Sequence, residues 1–260
     1  MNPFHLVSYN TCLGAWAKSG VRGAADRAEA ILRKMDQLSK ERDTVVRPDN
    51  ISFNTVLHAW SRSDSKWGAK RAEAILKHMD KLYAASKSKS KSNSNSNNND
   101  DDDNVNVVVV RPDTVTYSTC INAWARAAAS HNFDQNDGIS PARNAEAILR
   151  RMEHVYQTGT NLRAKPNLLA YNTVLNAWSK SGEPGAAKQA CAILETMEEK
   201  PGITPDVYSF TSVIDACAKA GDARMAETIL HKMESLYNAT GDISVKPNIR
   251  SYTSVSPNLE

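Results

Sequence analysis

One block of residues recurs along the chain and limits every other reading of it. Leu168 to Asp206 runs as a helical pattern, a Gly turn, a second helical pattern and a Pro-Asp exit. An aromatic followed by Asn, Ser or Thr marks the same place in each copy: Tyr9-Asn10, Phe53-Asn54, Tyr117-Ser118, Tyr171-Asn172, Phe210-Thr211 and Tyr252-Thr253. A unit of this size covers its apolar face only by stacking on its neighbours, so an array of such units shares one continuous core.

The copies run over about 6–49, 50–113, 114–167, 168–206 and 207–248, with a partial sixth at 249–260. In the first, Tyr9, Leu13, Trp16 and Ala17 fall at helical spacing. Ser8 is read as the N-cap and Gly20 as the stop. The second helix carries Ala28, Ile31, Leu32, Met35 and Leu38 on one face, with Glu29, Arg33 and Lys34 mostly outside. Pro48 blocks its continuation. The block Ala-Glu-Ala-Ile-Leu returns at Ala72–Leu76 and Ala145–Leu149, and Pro141 suits the first turn of its helix. The aromatics are unevenly spaced because added residues fall in the turns, where loop closure entropy grows only logarithmically with length. The longest addition, 84–106, alternates Lys with Ser and Asn with Ser before a run of Asp; it has nothing apolar to bury and reads as a disordered low-complexity loop. All 260 residues are read as a single solenoid domain.

A formal net charge of +3 neither requires nor excludes a nucleic acid partner. Cys12, Cys120, Cys191 and Cys217 all lie in helical patterns without C-x-x-C spacing, and read as reduced, mostly buried small apolar residues. The six histidines are scattered, with no zinc spacing and no H-E-x-x-H, Walker or deaminase signature. No catalytic group, metal, cofactor, small-molecule substrate or membrane span is expected. No targeting peptide is visible, since a repeat begins almost at once.

Leu-Ala-Tyr-Asn-Thr-Val-Leu-Asn-Ala-Trp-Ser-Lys-Ser-Gly, followed by Ala-Ile-Leu-Glu-Thr-Met and Thr-Pro-Asp, resembles the pentatricopeptide repeat. The resemblance covers nearly the whole chain outside the loops; the units are longer than is usual in the family, and a Trp stands where a smaller apolar residue is common. It implies an all-α fold: a right-handed α-solenoid of about five helix-turn-helix repeats plus a truncated sixth. It also implies sequence-selective binding of single-stranded RNA, about one base per repeat.

By that resemblance the base is read by the residue after the aromatic and by the residue after the exit Pro. The first slot holds Asn10, Asn54, Ser118, Asn172 and Thr211; the second holds Asp49, Asp113, Asn167, Asp206 and Asn248. The family's code turns these pairs into 5′-U-U-A-U-A-3′. The chemistry agrees: a carboxylate only accepts and suits the N–H of uracil, whereas an amide also donates and suits adenine. Asp or Asn after Pro is equally an ordinary helix cap. Val7, Ile51, Val115, Leu169 and Tyr208, with Arg250 in the sixth unit, hold the place that packs against bases in the family; the alternative is a staple closing the helix start. A cation follows two places after each Trp or its Cys equivalent: Lys18, Arg62, Arg126, Lys180 and Lys219. These suit either phosphate contacts or the negative end of the helix dipole. Trp16, Trp60, Trp124 and Trp178 lie beside Ala and read as packing between repeats, and the recurrent Met as core.

The resulting expectation is a non-catalytic RNA-binding protein of mitochondrion or plastid, acting in RNA processing, stability or translation. Its RNA would be a 5′-UUAUA-like element, with other RNA-processing proteins as further partners. The alternatives are a protein-interaction scaffold, or the RNA-binding part of a larger processing enzyme.

Overall fold

The computed structural model describes residues 6–41, 46–93, 109–130 and 140–255, with the side chains of 89–93 left aside. Among these residues there are eleven α-helices. They are α1 (Leu6–Lys18), α2 (Ala24–Glu41), α3 (Asn50–Arg62), α4 (Gly68–Asn93), α5 (Thr114–Ala128), α6 (Pro141–Gln157), α7 (Leu168–Ser181), α8 (Ala186–Glu199), α9 (Val207–Lys219), α10 (Ala223–Thr240) and α11 (Ile249–Val255), with a 3-10 turn at Ile243–Val245 before the last. Each repeat is therefore a helix pair, and Pro141 opens α6 as its fixed backbone angle favours. Gly182 caps α7 with φ 63°, a left-handed conformation that disfavours any residue with a side chain.

Two expectations are corrected. The low-complexity stretch assigned to a disordered loop at 84–106 starts as helix, because α4 runs on to Asn93; residues 94–106 lie outside the described part. Ala and Lys favour helix, and the extension is anchored. Lys87 lies over the Tyr83 ring and donates to the Thr160 carbonyl at 2.7 Å. The second correction concerns Ser8, which sits inside the first turns of α1 and does not cap it. At the starts of α3, α5, α9 and α11 the cap is the residue after Pro, and the Ser or Thr is three places further on.

The chain divides into two compact units. One comprises the described residues of Met1–Ala123 and His154–Lys165; the other comprises the described residues of Trp124–Glu153 and Pro166–Glu260. The division passes within α5, within α6 and between Lys165 and Pro166 in the exit of the third repeat. In the first unit α2 packs against α1 and α3, α3 against α4, and the two leading helices α1 and α3 against each other. The second unit repeats this scheme with α7, α8, α9, α10 and α11. The exit segment of the second repeat is held by Asn50, whose amide gives to the Arg111 carbonyl at 2.7 Å and takes from the Arg111 N–H at 2.8 Å. Asn161 donates to the Pro112 carbonyl at 2.6 Å from a fully enclosed position. Val46, Val110, Ala164 and Val245, each two places before the exit Pro, are buried. These contacts carry each exit to the start of the next helix.

Each unit also contains a polar latch between repeats. The Trp60 indole N–H donates to Glu29 Oε2 at 2.8 Å, and the Trp178 indole N–H donates to Glu146 Oε2 at 2.9 Å. Both indoles are buried, confirming them as packing residues between repeats. A buried carboxylate needs a counter-charge; Arg33 and Arg150, one helical turn on, pair with Glu29 and Glu146. Glu29 thus reaches inward to the next repeat, where the helical pattern had placed it mostly outside. Trp16, with no preceding repeat over it among the described residues, is half-buried under Arg27. The phenol of Tyr171 donates to Glu153, and Lys200 donates to that phenol at 2.8 Å.

Replacing Glu146 by Ala leaves the buried Trp178 N–H without an acceptor, and urea unfolding is expected to show a loss of about 1–3 kcal/mol. Glu146→Gln, whose amide oxygen still accepts, is expected to lose less; Trp178→Ala, which empties the site, is expected to lose about 3–5 kcal/mol.

Candidate nucleic-acid interface

The four backbone N–H groups at a helix start have no partner inside the helix, and the exit residue supplies one. Asp49 caps α3: its Oδ1 accepts from the Ser52 N–H at 2.8 Å, while the Asp49 N–H donates to the Ser52 hydroxyl at 3.2 Å. Asp206 and Ser209 repeat this reciprocal box on α9 at 2.9 and 3.1 Å. Asp113 and Thr116 do so on α5 at 2.9 and 3.1 Å. Asn248 and Ser251 do so on α11 at 3.0 and 3.3 Å. Asn167 caps α7 through the Ala170 N–H at 3.0 Å, but Ala170 has no hydroxyl to complete the box.

The same caps hold the first slot of the preceding repeat. Asn172 Nδ2 donates to Asp206 Oδ1 at 3.0 Å, and Asn172 Oδ1 accepts from the Ser209 hydroxyl at 2.6 Å. Asn10 stands in the same relation to Asp49 and Ser52, at 3.3 and 2.6 Å. Asn54 does so to Asp113 and Thr116, at 3.5 and 2.8 Å. A carboxylate only accepts, so it faces the amide nitrogen; the hydroxyl proton then faces the amide oxygen. Each Asn amide is thereby locked in one orientation. In the fifth repeat Thr211 lies 3.3 Å from the Ser251 hydroxyl, which also reaches Asn248 Oδ1 at 3.2 Å. Ser118 Oγ is buried with no hydrogen-bond partner.

Sequence pairing of the slots thus acquires a third member, the Ser or Thr at the third helical position. Its signal in the sequence is the hydroxyl residue before every recurring aromatic except Tyr171, read there as the cap itself in the case of Ser8.

Val7, Ile51, Val115, Leu169 and Tyr208 are 59% to 74% exposed. A large apolar side chain left in water at one register position of repeat after repeat does not close the helix start, as a staple would. Arg250 is also exposed, but its guanidinium pairs with Asp215 at 2.6 Å. The cations Lys18, Arg62, Arg126 and Lys180 are exposed at the ends of the leading helices. Lys219 differs, because its ammonium donates to the Ser179 carbonyl at 2.6 Å. No group of three or more His, Cys, Asp or Glu able to hold a metal is found among the described residues, and no described helix is long and apolar enough to cross a membrane.

Residues 166–219 match the PPR repeat family, and residues 208–237 match the PPR repeat. A chloroplastic pentatricopeptide repeat-containing protein of Arabidopsis thaliana is 24% identical over 141 residues, covering 54% of this chain and 15% of that protein. The crystal structure of the pentatricopeptide repeat protein PPR10 from maize aligns with a TM-score of 0.55 and 21% identity over 96% of this chain and 26% of that one. The likeness is one of fold, and with the helix pairs above it assigns the chain to the α-solenoid class.

Asp206→Ala removes the cap of α9 and is expected to lower stability by about 0.5–2 kcal/mol in thermal or urea unfolding. Ser209→Ala leaves the cap carboxylate in place but removes one shared hydroxyl, with an expected loss of about 1 kcal/mol.

Proposed function

We propose that the chain, which matches the pentatricopeptide repeat family over residues 166–237, is a member of that family and binds single-stranded RNA through the locked slots, without catalysing a reaction. The observation that carries this reading is the Asn-Asp pair, which recurs beside an exposed apolar residue in each compact unit. Asn10, Asn54 and Asn172, held at fixed orientation, keep a second N–H to offer; Asp113 and Asp206 keep a second carboxylate oxygen, and Asp49 Oδ2 has only a long contact of 3.5 Å from the Asn10 amide. Together these match the acceptor and donor edge of uracil. The exposed apolar residues supply the flat contact that unstacked bases need, Tyr208 most directly through its ring. Lys18, Arg62, Arg126 and Lys180 neutralise phosphates. By the family's code the residue types Ser118 and Asn167, and Thr211 and Asn248, call for adenosine, so the reading over five repeats is 5′-U-U-A-U-A-3′. The setting is an organelle, in RNA processing, stability or translation, in keeping with the chloroplastic relative. Other RNA-processing proteins are the further partners of this reading.

Titration with single-stranded RNA containing 5′-UUAUA, against a scrambled sequence at two salt concentrations, tests this. Tighter binding of the matched RNA is expected, weakening as salt rises because phosphate binding releases counterions. Absent or salt-independent binding overturns the reading. Asn172→Thr with Asp206 kept is expected to move the preference at the fourth base from uridine to guanosine. Retained uridine preference means that base reading does not follow these slots. Lys180→Ala is expected to weaken all sequences alike and to reduce the log–log salt slope by about 0.7.

A further inference from the structure

The fourth and fifth repeats lack the Glu-Trp latch. At the Glu position of the second helix stands Cys191, and at the Trp position of the next leading helix stands Cys217. Both partners have changed together, and the two sulfurs lie 3.9 Å apart, sharing an S–H···S contact between α8 and α9. Cys217 is buried, while Cys191 is partly open to solvent. From this juxtaposition we propose that Cys191 and Cys217 form a thiol–disulfide site between repeats, oxidised by a low-molecular-weight disulfide that enters at Cys191.

The chemistry balances as an exchange. The Cys191 thiolate attacks one sulfur of the incoming disulfide and expels a thiolate, leaving a mixed disulfide on Cys191. The Cys217 thiol gives its proton to solvent, attacks the Cys191 sulfur and expels the second thiolate. Two protein thiols are oxidised, and one small disulfide is reduced to two thiols. The sulfurs must approach by about 1.9 Å to reach bonding distance. The shared contact holds the Cys191 thiol below its ordinary value, while that contact and burial push Cys217 up. Cys191 is therefore the attacking sulfur and Cys217 the resolving one. Oxidation ties α8 to α9 at a junction where the other described latches rely on a hydrogen bond. The chemistry stands whether or not the chain binds RNA.

The test uses the full chain incubated with glutathione disulfide, followed by thiol counting and peptide mass mapping. The expected product carries an internal Cys191–Cys217 link, reversed by dithiothreitol, with Cys12 reacting separately as an exposed thiol. Cys217→Ser is expected to stop at a glutathione adduct on Cys191. Cys191→Ser is expected to leave Cys217 unmodified under the same exposure. A wild-type chain that accumulates the Cys191 adduct without linking to Cys217, or that links only between chains through Cys12, overturns the proposal.

Discussion

A helix cannot begin inside a packed array until its first backbone N–H groups have acceptors, and here that requirement is met by the residue after the exit Pro. The Asp or Asn side chain turns back onto the N–H three residues ahead, and in four repeats a Ser or Thr hydroxyl closes the box. The cap also has a second duty. Its carboxylate and hydroxyl together clamp the Asn of the preceding repeat, so that the end of one repeat, the start of the next and the candidate base slot form one hydrogen-bonded cluster. Capping and presentation are consequently inseparable: the residue that stabilises the helix start also sets which polar edge faces outward.

The spacing that brings these residues together is maintained by the packing behind them. Buried Trp60 and Trp178 fill the contact between one repeat's second helix and the next repeat's leading helix, and a charged Glu accepts each indole proton. An uncompensated carboxylate would be costly there, and a neighbouring Arg on the same helix offsets it. Directional latching of this kind fixes the angular position of the leading helix and, with it, the direction of the Asn near its start. At Cys191 and Cys217 the array substitutes a softer contact whose strength depends on the surroundings.

Much of this was legible from pattern. Helix pairs, turns and repeat boundaries follow from apolar periodicity and Pro-Asp exits, which are local signals. The slots Asn10, Asn54, Asn172 and their Asp partners were found because the same two positions vary over few residue types. Other features were hidden because they depend on which helix faces which. Glu29 sits in a helical pattern that reads as solvent-facing, and nothing in its own repeat identifies Trp60 as its partner. Lys219 matches the other cations in sequence, yet it is drawn to the Ser179 carbonyl. The helical part of the Lys-Ser stretch escaped detection because composition reports the absence of apolar burial, whereas Lys87 is anchored by a distant carbonyl and a ring.

By itself the sequence determined the all-α repeat, its register and the residue types in each slot, because helix periodicity, proline geometry and capping act over a few neighbouring positions. Tertiary structure decided which end of each Asn amide points outward, that Val7, Ile51, Val115, Leu169 and Tyr208 stay in water, and that two cysteines meet where a Glu and a Trp meet elsewhere. Those outcomes depend on contacts between side chains some thirty or more residues apart in most cases, where directional hydrogen bonds and packing choose among arrangements that local pattern leaves equal.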